Sequence, residues 1–167
     1  PERVAGIDLF HALNARAAKE NQSVYYLGAK EDVVAKAAEK MQAQYPGLTI
    51  AGYHHGYFWD NEEAVVEKIK ASGANFLFVA ITSPKKERFI NKWKEALGVQ
   101  FVMGIGGTLD VVAGKVERAP QWMQNAGLEW LYRLLQEPGR MFNRYMRTNS
   151  LFAWMLLKAK LKGRSQA

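Results

Sequence analysis

A chain of 167 residues that is 49% apolar and 23% charged can bury a core of its own and is not disordered. The absence of cysteine excludes a disulfide scaffold, a thiol nucleophile and a thiolate metal site, and three histidines (His11, His54, His55) leave little for a zinc centre. The net charge of +7 lies in one segment: eight Arg and Lys stand against one Glu between Arg133 and Arg164, while the remaining fifteen basic and fifteen acidic residues cancel.

The first residues, which lack an initiating Met, read like the middle of a longer chain. Residues 6–20 carry helical periodicity, with Ile7, Leu9, Phe10, Leu13 and Ala17 on one face. Val24 to Leu27 is a short β-type run ending at Gly28. Residues 31–44 predict a helix with Val33, Val34, Ala37, Ala38 and Met41 inward, stopped by Pro46-Gly47. Leu48 to Tyr53 predicts a second strand, followed by a polar, aromatic loop from His54 to Trp59. Residues 60–71 predict a helix with Asp60 as N-cap. Phe76 to Ala80 is an unbroken apolar strand of the kind buried on both faces. Ser83-Pro84 is expected to open a helix over 85–97, Ser as cap and Pro in the first turn. Phe101 to Met103 is a fourth strand, and a Gly-rich turn leads from Gly104 into a short helix around 109–113. The chain from Trp122 onward is helical or looped.

Four alternations of strand and helix predict an α/β fold: a mostly parallel sheet with helices on both faces. Ligands of such sheets bind beyond the carboxyl ends of the strands. The strand-end loops are Gly28-Ala29-Lys30, Gly52 to Phe58, Thr82 to Glu87 and Gly104 to Asp110, and the last three carry motifs. In Gly104-Ile105-Gly106-Gly107-Thr108-Leu109-Asp110, glycines after a buried strand let backbone approach a ligand, and amides at the next helix start suit a phosphate. The motif is neither GxGxxG nor a P-loop, so a tight turn with a capping Asp stands beside the nucleotide reading. In Thr82 to Arg88, lysines on a first helical turn oppose the helix dipole until an anion arrives; a solvated surface turn is the alternative. In Gly52 to Phe58, Tyr57 can stack on a base or sugar, whereas the adjacent His54 and His55 read as surface histidines. Arg118 is either structural or a phosphate ligand. No GxSxG, HExxH or DxD motif is present, so a leaving diphosphate would be neutralised by Arg and Lys.

The composition shifts at residue 127. Residues 1–126 form the body, and residues 127–167 form a basic appendage in which Leu, Met, Phe and Trp interleave with Arg and Lys. That mixture suits an interfacial helix on an anionic membrane better than a nucleic-acid groove; a hairpin packed on the body is the bland alternative. No stretch of about 18 apolar residues predicts a transmembrane helix.

Seven blocks occur in order: Arg3-Val4-Ala5-Gly6-Ile7-Asp8-Leu9, Tyr26-Leu27-Gly28-Ala29-Lys30, Gly56-Tyr57-Phe58, Ser83-Pro84-Lys85-Lys86-Glu87, Met103 to Asp110, Arg118-Ala119-Pro120 and Gly127-Leu128-Glu129-Trp130-Leu131-Tyr132-Arg133-Leu134. Together they resemble the WecG/TagA/CpsF family of bacterial glycosyltransferases. The resemblance implies a Rossmann-like body and an inverting, metal-independent transfer from a UDP-sugar, in several members UDP-N-acetylmannosamine. The implied acceptor is a lipid-linked sugar on undecaprenyl diphosphate, and the products feed teichoic acid, enterobacterial common antigen, capsule or exopolysaccharide. The enzyme is expected as a peripheral protein on the cytoplasmic face of the plasma membrane, with no nucleic-acid partner; a homo-oligomer is left open.

Carried over by position, Arg3 matches the family's functional arginine, and Lys86 and Glu87 complete the candidate catalytic set. Tyr57, Gly104, Gly106, Gly107, Thr108 and Asp110 form the nucleotide set. Arg118, Arg133, Arg140 and Arg144 form the acceptor-diphosphate set, in which Arg133 and Arg140 match the family's appendage arginines. Two departures stand out. Many members have Gln where this chain has Lys86. The family's catalytic base is an Asp in an Ala-Asp-Gly block upstream of Arg3, outside these 167 residues. The alternative class is therefore a non-catalytic UDP-sugar-binding module or an inactive fragment of such an enzyme.

Overall fold

The computed structural model describes residues 4–163. Its centre is a four-stranded parallel sheet of β1 (Ser23–Gly28), β2 (Thr49–His54), β3 (Phe76–Ala80) and β4 (Phe101–Gly104), in the order β2-β1-β3-β4. The two central strands are apolar without a break because both of their faces are covered. Successive side chains go to opposite faces. Val24, Tyr26 and Phe78 enter one core with α1 (Gly6–Lys19), α2 (Glu31–Gln44) and α5 (Thr108–Val112). Tyr25, Leu27, Leu77 and Val79 enter the other with α3 (Glu62–Ala71) and α4 (Lys85–Trp93).

Phe10 of α1 is the keystone of the first core. Its ring meets Phe78 edge-on at 4.9 Å and Tyr26 at 5.7 Å, and it is fully buried. Such burial stabilises the fold by about 1.5–3 kcal/mol. The one fully buried polar pair of the described core also lies here. The Tyr26 hydroxyl donates to Asn14 Oδ1 at 2.6 Å, and Asn14 Nδ2 donates to the Phe10 carbonyl at 2.7 Å. Burial pushes the Tyr26 phenol far above its ordinary range, so it remains a donor.

At the amino end of the sheet Asn75 ties three strands. Its Oδ1 accepts from the Ser23 amide at 2.8 Å, its amide donates to the Ser23 carbonyl, and its carbonyl accepts from the amides of Gln100 and Phe101. The starts of β1, β3 and β4 are thereby fixed in register.

Several local expectations are corrected. The cap of α3 is Asn61 rather than Asp60: Asn61 Oδ1 accepts from the Ala64 amide at 3.4 Å, three residues on, which is the reach a capping side chain has. Ser83 does not cap α4. Pro84 itself occupies the N-cap position after a cis Ser83–Pro84 bond, and no side chain caps the helix. That helix also ends at Trp93 instead of 97, because Ala96 and Leu97 turn their amides back to the Trp93 carbonyl ahead of Gly98, whose φ is +66°.

The chain divides into two units, Pro1–Glu117 and Arg118–Ala167. The second holds α6 (Gln121–Asn125), α7 (Glu129–Gln136) and α8 (Pro138–Gly163). Gly127, at φ +72°, turns the chain from α6 into α7, and the Leu128 amide donates to the Met123 carbonyl at 2.8 Å. At 26 residues, α8 is about 39 Å long. Helix positions 140, 144, 147, 158 and 162, all Arg or Lys, share one face by their spacing. Phe142, Met146, Phe152 and Leu156 fall on the other half, and each is more than half exposed. Among the described residues, no helix is long and apolar enough to cross a membrane.

Candidate functional site

The strand order reverses direction between β1 and β3, and a crevice at such a switch point is where α/β sheets take ligands. Backbone closes this rim. Gly28 has φ +132°, and a Cβ there would lie 2.3 Å from the Ala80 carbonyl oxygen. Only glycine lets β1 end against β3 so closely. The Ala29 amide donates to that same oxygen at 3.2 Å, and the Gly56 amide donates to the Ala29 carbonyl at 2.9 Å. A Cβ on Gly56 would meet the Gly28 Cα at 3.1 Å. The loop after β2 is thus sewn onto the end of β1, which is sewn onto the end of β3. The Ile105 amide, donating to the Val79 carbonyl at 2.9 Å, joins the glycine turn to the same rim.

Lys86 and Gly104 are brought together. The Lys86 side chain runs across the face of Gly104, in the space a Cβ would take: its Cε would lie 2.7 Å away and its Nζ 3.0 Å. Glu87 holds the ammonium at 3.2 Å. The Glu87 carboxyl is itself kept below the usual carboxylate range, chiefly by its own backbone amide, with the Lys86 ammonium and Ser83 hydroxyl adding to this. A carboxylate so satisfied is a weaker proton acceptor than an ordinary one and is well suited to steadying Lys86.

Beyond Gly104, Gly106 turns at φ +54° into open space, and the Thr108 hydroxyl donates to the Ile105 carbonyl at 2.6 Å. Thr108 is buried, so its hydroxyl proton closes the turn rather than reaching outward. Gly107 is the N-cap of α5, a helix of five residues. The Asp110 side chain is largely covered, with Lys115 Nζ at 3.8 Å. Lys40, a contributor that no sequence motif marks, donates to the Ala113 carbonyl at 3.2 Å and pins the end of α5; a Cβ on Gly114 would crowd its ammonium.

Tyr57 stands on the loop after β2 with its ring well exposed. Nearby Phe58 is buried against Phe89, and Trp59 lies under the Lys85 ammonium at 4.7 Å. The loop is thereby anchored to α4 on its inner side while Tyr57 is left outside.

In the second unit, Arg118 Nε lies 4.0 Å from Glu129, and Arg133 lies 2.8 Å from Glu137 one helical turn on. Arg133 thus sits in a close ion pair, and Arg118 faces its carboxylate at the outer limit of one. Arg3 lies outside the described residues. Arg140 and Arg144 lie on α8 at positions whose side chains are also outside those described.

The model of the family described as Glycosyl transferase WecG/TagA/CpsF matches residues 1–166. Membership carries sugar transfer in the synthesis of cell-surface polysaccharide. Matched over nearly its whole length, the chain belongs to the WecG/TagA/CpsF family of glycosyltransferases.

Proposed function

We propose that this chain moves an N-acetylmannosamine-like sugar from a UDP-sugar to a sugar carried on undecaprenyl diphosphate, with inversion and without a metal ion. The observation that carries the reading is Lys86 lying across Gly104, beside a turn whose glycine backbone opens to solvent. A diphosphate over that turn meets backbone amides and one oriented ammonium. Tyr57 offers its ring to the uracil or ribose, and Asp110 accepts from the nucleoside.

The acceptor hydroxyl attacks the anomeric carbon from the side opposite UDP. The new carbon–oxygen bond forms as the bond to the diphosphate oxygen breaks. A carboxylate takes the hydroxyl proton, and UDP leaves with the electron pair. Lys86 balances the charge that develops on it, with the Arg133 region serving the lipid diphosphate. The apolar half of α8 and its basic stripe suit an anionic leaflet at the cytoplasmic face, from which the lipid acceptor is presented.

Calorimetric titration of UDP in the presence of a chelator, with ATP and NAD as controls, tests the donor half. Selective UDP binding is expected, abolished in Asp110→Ala. Gly104→Ala is expected to weaken it about tenfold, because the added methyl displaces a flexible lysine end rather than backbone. The melting temperature should move little. Absence of UDP binding, or binding that requires a divalent ion, overturns the reading. Changing Arg133 and Arg140 to Ala should lower transfer to a lipid acceptor far more than UDP affinity; equal losses would refute that assignment.

A further inference from the structure

The double histidine at the end of β2 is not used by the mechanism above, yet its hydrogen bonds are specific. The Tyr57 amide donates to His55 Nδ1 at 3.1 Å. A backbone N–H can only donate, so Nδ1 of His55 carries the lone pair and the ring proton sits on Nε2. The His54 Nδ1 lies 2.9 Å from the His55 carbonyl oxygen. A carbonyl can only accept, so His54 has its proton on Nδ1. The two neighbours thus use Nδ1 in opposite senses, His54 donating and His55 accepting. Their rings are 4.3 Å apart, and His54 also meets the buried Phe58 edge-on at 5.8 Å. The chain of bonds runs from Phe58 through His54 to the His55 backbone, and from the His55 ring to the Tyr57 amide. Gly56, between them, is tied to Ala29.

We infer that His55 is a positioning residue for the nucleotide: its Nδ1 holds the Tyr57 backbone so that the exposed ring is presented as a ready platform for the base. This rests on the Tyr57 reading above. Tyr57 makes no buried contact of its own to fix its direction, being 67% exposed. What orients it is His55, whose Nδ1 holds the Tyr57 backbone and whose ring lies beside the Tyr57 ring at 6.4 Å, with His54 bracing the His55 carbonyl. The pair therefore acts as a brace, with one ring aimed at the next residue's backbone and the other at its own loop.

Asparagine places an acceptor oxygen at the reach of Nδ1, and glutamine places it one carbon further out. His55→Asn should therefore keep UDP affinity within about twofold of the parent. His55→Ala and His55→Gln should each lose about fivefold, the worth of one net hydrogen bond. Thermal unfolding of all three should stay close to that of the parent. Nitrogen-15 NMR of the imidazoles in the full chain should show the proton on Nε2 of His55 and on Nδ1 of His54. The opposite tautomer at His55, or equal affinities among the three variants, overturns the inference. Tyr57→Ala separates the two levels. If it leaves UDP affinity intact while the tautomers are as stated, the stacking role of Tyr57 fails and the brace is purely structural, which also overturns the inference. If it weakens UDP and His55→Ala does not, only the brace fails.

Discussion

The carboxyl rim of the sheet and the helix α8 solve opposite problems. At the rim, glycine and backbone amides are packed so closely that a single methyl has nowhere to go: Gly28 against Ala80, Gly56 against Gly28. One charge there is held in place, Lys86 by Glu87 at 3.2 Å. On α8, apolar side chains as large as Phe152 and Trp154 are more than half exposed, and positions 140, 144, 147, 158 and 162, all Arg or Lys, share an arc of the helix with Leu151, Trp154 and Met155. The rim carries close backbone geometry, and α8 carries exposed apolar surface among its described residues. On the function proposed above, the first suits a soluble donor and the second a lipid-borne acceptor.

That contrast can be broken experimentally. The largest effect should come from α8. Replacing Phe142, Phe152 and Leu156 together by Ser removes three exposed apolar side chains and should weaken binding to vesicles of anionic lipid roughly a thousandfold or more, as read by sedimentation. The urea midpoint of the first unit should not move; a large shift would mean these side chains belong to a packed core. Gly28→Val tests the other side. A branched side chain 2.3 Å from a carbonyl oxygen at φ +132° should cost about 3 kcal/mol or more in urea unfolding.

Next comes the buried pair under β1. Asn14→Ala leaves the Tyr26 hydroxyl unpaired and should cost about 2 kcal/mol, while Asn14→Leu combined with Tyr26→Phe should recover most of it. The smallest effect concerns acid. Glu62 accepts from Lys92 at 2.9 Å and from the Trp93 indole at 2.8 Å, which hold its carboxyl below the ordinary value, the Lys92 bond most of all. Because the folded value is the lower one, this contribution is in place above the ordinary value of 4.5 and is lost as pH falls through the folded value. Glu62→Gln should flatten that part of the stability profile by less than about 1 kcal/mol, since the pair is largely solvated.

What the sequence reveals follows the length scale of the physics. Strands such as Phe76 to Ala80 are legible because burial on both faces demands an unbroken apolar run. The helix over Glu31–Gln44 is legible because its inward face repeats at helical spacing. Gly104 and Lys86 are both legible as motif residues, but their meeting is not, because it depends on how β4 and α4 lie side by side. Caps are decided by single hydrogen bonds between near-equivalent neighbours, which is why Asn61 displaces Asp60. The His54–His55 pair reads as ordinary surface histidine, since adjacency says nothing about which nitrogen faces which backbone group. Lys40 has no local signature at all; only the three-dimensional approach of α2 to α5 gives it a carbonyl to hold.

The Asn75 knot has an evolutionary consequence. Three strands are tied by one side chain and its backbone at the amino end of the sheet, at the other end of the strands from the loops proposed to meet the donor. Substitutions in those loops can therefore accumulate without misaligning the sheet. On the proposed function, a lineage could exchange one donor sugar for another by drift at the rim, provided Asn75 stays where it is.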